Sequence, residues 1–123
     1  MKKILIIEDD TVLRDEVATL LKNSGYDAQA VTDLSTALEQ MKSSGADLIL
    51  LDINLPFVGG ETLLQEFRKV SDTPVIMLTA NAINGMDEEY KRLGFADYIT
   101  KPINPNQLEA VLLKHLPKDK IKQ

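Results

Sequence analysis

The chain has 123 residues, 44% apolar and 27% charged, which is the make-up of one globular domain with a single core. A net charge of -5 disfavours non-specific nucleic-acid binding, and the absence of cysteine excludes disulfides, thiol chemistry and cysteine-ligated metal. No apolar run approaches the ~20 residues of a membrane span and no secretory signal pattern opens the chain, so a cytoplasmic protein without membrane contact is expected.

Ile4-Leu5-Ile6-Ile7 is a short apolar run that ends in Glu8, Asp9 and Asp10. It predicts a strand buried on both faces. A helical pattern follows, with Leu13, Val17, Leu20 and Leu21 on one face and Gly25 at its C-cap. Tyr26 to Val31 predicts a second strand, and Leu34, Ala37, Leu38 and Met41 a second helix closed near Gly45. Leu48 to Leu51 is the central strand; it runs directly into Asp52 and is followed by a loop with Gly59-Gly60. Leu63, Leu64 and Phe67 form the buried stripe of a third helix, and Pro74 to Thr79 a fourth strand. Asn81, Asn84 and Gly85 are poor helix formers, so the fourth helix is expected from about Asn84 to Leu93 with a weak first turn. Asp97 to Thr100 predicts the fifth strand, ending at Lys101-Pro102. The fifth helix has the clearest start: Asn104 as N-cap, Pro105 at N1, Gln107 at N3 for a capping box, and Ile103 placed to staple to Leu108.

Five strands alternating with five helices predict a single α/β domain. Its sheet is parallel and doubly wound, in the flavodoxin-like order 2-1-3-4-5. A nucleotide-binding fold would need a glycine-rich phosphate loop after the first strand, where this chain has Glu8-Asp9-Asp10. Acids repel phosphate and attract a cation.

In such a sheet Glu8, Asp9, Asp52, Thr79 and Lys101 all lie at carboxyl ends of strands and converge on one crevice. Clustered carboxylates repel unless a positive charge sits between them, and Mg²⁺ suits an all-oxygen set. Lys101 can contact a phosphoryl oxygen and Thr79 can donate a hydrogen bond to it. The parts fit phosphoryl transfer, with Asp52 as acceptor because it ends the central strand. Asp10 is read as the N-cap of the first helix and not as a ligand. His115, on the last helix, is read as a half-buried or exposed residue and not as a phosphoacceptor.

Glu8-Asp9 after the first strand, Asp52 within Leu-Asp-Ile-Asn-Leu-Pro, Thr79-Ala80 and Lys101-Pro102 together resemble the receiver domains of two-component response regulators, with the CheY-like fold. The match covers essentially the whole chain, in order and spacing. The resemblance implies a phosphoacceptor role for Asp52, a sensor histidine kinase as donor, and self-catalysed transfer and dephosphorylation without other enzymatic activity. It implies Mg²⁺ held by Glu8 (through water), Asp9, Asp52 and the backbone carbonyl of Asn54. It further implies a switch formed by Thr79 and Tyr98, a phosphate contact by Lys101, and a cis Lys101-Pro102 bond. The signal would pass to the face of the fourth helix, fifth strand and fifth helix, and from there to an output domain or effector protein, with transcription as the commonest setting. A phosphorylation-dependent homodimer is admitted, and nucleic-acid contact by this domain is not expected. On this reading residues 1–117 are the receiver and residues 118–123 a tail or the start of a linker.

Two departures bear on that reading. The loop after Pro56 is Phe57-Val58-Gly59-Gly60, where relatives often carry Gly-Met-Asp-Gly. Val111 stands where winged-helix relatives usually have an arginine, which weakens transfer of their dimer contacts. The enzyme-class rival is a metal-dependent phosphatase with an aspartate nucleophile. It would place a second Asp two residues after Asp52 as general acid, where this chain has Asn54. A flavin carrier is disfavoured by the acidic first loop.

Overall fold

A computed structural model describes residues 2–31, 36–43, 45–53, 60–80 and 86–116, with the backbone alone at 60, 61, 86 and 87. Among the described residues the elements alternate: β1 (Lys3–Ile7), α1 (Thr11–Asn23), β2 (Asp27–Val31), α2 (Ala37–Ser43), β3 (Leu48–Asp52), α3 (Gly60–Arg68), β4 (Val75–Thr79), α4 (Met86–Leu93), β5 (Asp97–Thr100) and α5 (Pro105–His115). The five strands form one parallel sheet in the order β2-β1-β3-β4-β5, as the sequence pattern predicts.

The continuous apolar runs acquire their reason here. Successive side chains of a strand point to opposite faces. Leu5 and Ile7 therefore meet Leu64 and Phe67 of α3 on one side. Ile4 and Ile6 meet Val17 and Leu21 of α1 and Leu108 and Leu112 of α5 on the other. Every residue of β3 and β4 is buried. Each fully buried Leu or Ile of these strands contributes roughly 1.5–3 kcal/mol relative to its exposed state.

The predicted caps are present, with adjustments: the Asn104 half of the capping box forms, but the Gln107 side chain does not return a bond to the Asn104 amide. Asp10 Oδ1 accepts from the amides of Val12 (3.0 Å) and Leu13 (3.2 Å), so it is spent on capping α1. Asn104 Oδ1 accepts from Asn106 (2.8 Å) and Gln107 (3.2 Å), with Pro105 at the first turn, and Ile103 packs in the same cluster as Leu108. At the end of α1 the C-cap is Ser24 and Gly25 lies one residue beyond it, at φ 92°. Its amide reaches the Lys22 carbonyl and the Tyr26 amide the Leu21 carbonyl, a Schellman closure that needs the left-handed residue just past the cap. This closure also delays β2 to Asp27, one residue after the predicted start. Pro74 precedes β4 because it has no N–H to give the ladder; its carbonyl accepts from Ile49 at 3.0 Å. The predicted beginnings of the second and fourth helices, Leu34 and Asn81 to Gly85, lie outside the described residues, as do the loop through Gly59 and the tail from 117 onward.

The apolar stripe expected on α1 is rotated. Val17 and Leu21 are buried, Leu13 and Leu20 only half-buried, and Arg14 takes a place in the buried row. On α5, Val111 is buried with Leu108 and Leu112, so position 111 supplies core packing and no surface charge.

Candidate functional site

Parallel pairing sets the ends of β1, β3 and β4 side by side. Ile7 lies opposite Leu51, and Asp52 opposite Leu78. Glu8 and Asp9 leave β1 at this edge, Asp52 is the last residue of β3, and Thr79 the last of β4. Glu8, Asp9 and Asp52 each present a carboxylate oxygen within 4.8 Å of the others. Glu8 and Asp52 are buried, at 1% and 2% exposure, while Asp9 is open to solvent. The crevice thus has a dry floor and a wet rim.

Lys101 enters from the end of β5, half-buried. Its Nζ stands 2.9 Å from Glu8 Oε1 and 3.4 Å from Asp52 Oδ2. The Lys101 backbone is tied to β4, its amide donating to the Thr79 carbonyl at 2.8 Å, and the Lys101-Pro102 bond is cis. Burial pulls the Lys101 pKa down, but the Glu8 and Asp52 carboxylates together outweigh it and hold the ammonium above its usual range.

Glu8 carries the electrostatic tension of the site. Burial pushes its pKa up from 4.5 to about 7; Lys101 and the Asp10 amide pull it down, and Asp52 pushes it up again. Glu8 Oε2 accepts from the Asp10 amide at 3.1 Å. Glu8 Oε1 is fully buried and, among the described residues, has the Lys101 ammonium at 2.9 Å as its partner, at an angle poor for a hydrogen bond. A buried carboxylate grouped with two further carboxylates and only one lysine between them fits a hard divalent cation or its bound water.

Thr79 is buried at 3% exposure. Alternation along β4 sets it on the face of Val75 and Met77, where Tyr98 of the neighbouring strand also packs. The Tyr98 ring lies against Tyr90 of α4, centroids 5.2 Å apart and planes tilted by 50°. Thr79 and Tyr98 therefore share the face that α4 covers.

Glu8, Asp9, Asp52 and Lys101 meet at one end of the sheet, where Thr79 also ends its strand; Asn54, assigned a backbone ligand role, lies outside the described residues. Asp10 stays outside the carboxylate cluster, in keeping with its cap role. His115 is half-buried at the far end of β5, with Nε2 2.9 Å from Asp97 Oδ2. That pairing joins residues 18 apart with no local pattern to announce it. The sequence reasoning also missed Arg14, whose signal was its spacing of three and seven from Val17 and Leu21.

Comparison with known proteins agrees with this geometry. The sequence model of the response regulator receiver domain matches residues 4–113. The sensory transduction protein RegX3 of Mycobacterium tuberculosis is 39% identical over 115 residues, covering 89% of this chain and 48% of that protein. The chain thus spans about half the length of the curated relatives it matches. Among solved structures, the N-terminal domain of the nisin resistance regulator NsrR superposes with a TM-score of 0.87 at 27% identity, over 95% of this chain and 99% of that one. The receiver domain of the sensor histidine kinase PA1611 from Pseudomonas aeruginosa, solved with magnesium coordinated in its active-site cleft, gives 0.82 at 31% identity over 93% and 96%.

Proposed function

The chain belongs to the response regulator receiver domain family, and from that premise we propose that Asp52 is the phosphoacceptor of a two-component signalling step. One observation carries this reading: a buried carboxylate at the end of the central strand, flanked by two further carboxylates and paired with a lysine at 3.4 Å. Such an oxygen is shielded from bulk water yet opens to a rim where a phosphorylated partner can approach.

An Asp52 oxygen attacks the phosphorus of a phosphohistidine on a sensor histidine kinase. The new P–O bond forms as the P–N bond breaks, and the leaving imidazole keeps the electron pair. Glu8, Asp9 and Asp52 would hold Mg²⁺, with Glu8 acting through water and the Asn54 carbonyl as a further ligand; the magnesium-bound PA1611 receiver supports this choice of metal. When bound, the ion supplies charge compensation for the transferred group. Lys101, already poised between Glu8 and Asp52, swings to a phosphoryl oxygen, and the Thr79 hydroxyl donates to another. Water later attacks the phosphorus, releasing inorganic phosphate and restoring the Asp52 carboxylate.

The Thr79 displacement opens space on the α4 face, and Tyr98 turns inward, leaving its contact with Tyr90. The α4-β5-α5 surface changes with it. Residues 1–117 act as the receiver and 118–123 as a tail or linker, working in the cytoplasm on an output that controls transcription, as the names of relatives such as the ycf27 regulator of Porphyridium aerugineum suggest. The net charge of -5 favours a protein partner over nucleic acid for this domain. With Val111 buried, a homodimer driven by phosphorylation uses contacts other than those of an arginine at that position.

Incubation with Mg²⁺ and acetyl phosphate, followed by intact-mass measurement, tests the proposal. A lasting gain of one phosphoryl group is expected; turnover of many phosphate esters without an adduct would instead identify a phosphatase.

A further inference from the structure

Arg14 is the feature the proposed function leaves unused. It occupies the core-facing row of α1 with Val17 and Leu21, at 9% exposure, where a leucine would pack at less cost. A guanidinium does not shed its proton, so its burial requires compensation. Its Nη1 donates to the Glu8 carbonyl at 3.4 Å, a buried contact, while its own amide donates to the Asp10 carbonyl at 2.9 Å. The amide bond is the first helical bond of α1 and would be made by any residue there, so the guanidinium contact is what Arg14 itself adds to Glu8-Asp9-Asp10. That turn carries two of the three clustered carboxylates.

We propose that Arg14 is a positioning residue of the acidic site: its buried guanidinium clamps the Glu8 carbonyl and so fixes the direction in which Glu8 and Asp9 present their carboxylates. The inference rests on the reading of that cluster as a magnesium site. The clamp works through geometry. A nearby positive charge on its own would oppose binding of a divalent cation, so removing Arg14 would tighten binding if charge dominated and weaken it if positioning dominated.

The test uses the whole chain with Arg14→Met, which keeps the apolar stem, and Arg14→Lys, which keeps the charge and a single donor. In EDTA, amide exchange at Asp10 is followed by NMR, since that amide is held by Glu8 Oε2 at 3.1 Å. Asp27, whose amide bonds the Lys2 carbonyl at 2.8 Å at the opposite end of the strands, is the internal reference. Arg14→Met is expected to speed exchange at Asp10 about three- to fivefold with Asp27 unchanged, as loss of one long hydrogen bond at 3.4 Å implies. Arg14→Lys should fall between parent and Met. Magnesium affinity of Arg14→Met should drop about five- to tenfold. Unchanged exchange at Asp10, an equal rise at Asp27, or tighter magnesium binding each overturns the proposal. A parent that does not bind magnesium defeats the reading of the site instead, and exchange at Asp10 still decides the role of Arg14.

Discussion

Glu8→Gln exposes the strain of the metal-free site most clearly. The Glu8 pKa rises from 4.5 to about 7 on folding, chiefly because the carboxyl is buried. Below pH 4.5 both folded and unfolded chains hold the proton and nothing is lost. Between pH 4.5 and 7 the unfolded chain releases it while the folded chain keeps it, so stability falls as pH rises; above 7 the full penalty is present. At about 1.4 kcal/mol per pH unit the rise sets a ceiling of roughly 3 kcal/mol. Solvent access beside the exposed Asp9 screens part of it, so the penalty falls below that ceiling, on the order of 2 kcal/mol. Glutamine keeps the shape and cannot ionise. Urea unfolding in EDTA at pH 5 and pH 8 should therefore show the parent losing most of this amount relative to Glu8→Gln, the remainder being lost already below pH 5. Groups that titrate alike in both proteins cancel in the comparison. Parallel pH profiles would refute the assignment of the strain to Glu8. Adding Mg²⁺ at pH 8 should stabilise the parent and do much less for the variant, since an ion bound only by the folded state shifts the equilibrium toward it.

Asp9→Ala should abolish measurable Mg²⁺ binding in a fluorescence or calorimetric titration, because the exposed ligand is the one that meets the incoming hydrated ion; unchanged affinity would place the metal elsewhere. Thr79→Ala should still take up the phosphoryl group but lose the change in hydrogen exchange across Met86–Leu93 that phosphorylation causes in the parent. An identical exchange response in both would remove Thr79 from the switch. Asn104→Ala should cost about 1 kcal/mol in chemical denaturation by freeing the amides of Asn106 and Gln107, with phosphorylation unaffected; no loss of stability would contradict the cap's contribution.

The fold was legible because the strands are unambiguous: Ile4 to Ile7 and Leu48 to Leu51 are apolar without alternation, which only a strand buried on both faces requires. The location of the candidate site followed from the same pattern, since Glu8, Asp52 and Thr79 close three such runs at the edge where open α/β sheets bind ligands. Arg14 was hidden because a helical stripe is sought among apolar residues, and a buried cation breaks the rule that makes the stripe visible. His115 with Asp97 and Tyr90 with Tyr98 join residues 18 and eight positions apart across separate elements. Neither pair leaves a periodic trace. The Gly25 closure shows a finer limit: the glycine signals that α1 ends, while the hydrogen bonds of Tyr26 decide where β2 can start.

The central claim, that Asp52 alone accepts the phosphoryl group, is tested most directly by treating parent and Asp52→Asn side by side with Mg²⁺ and acetyl phosphate. Asparagine keeps the size of the side chain and removes the nucleophilic oxygen. Intact mass should show one added phosphoryl group on the parent and none on Asp52→Asn; equal labelling of both would contradict the account.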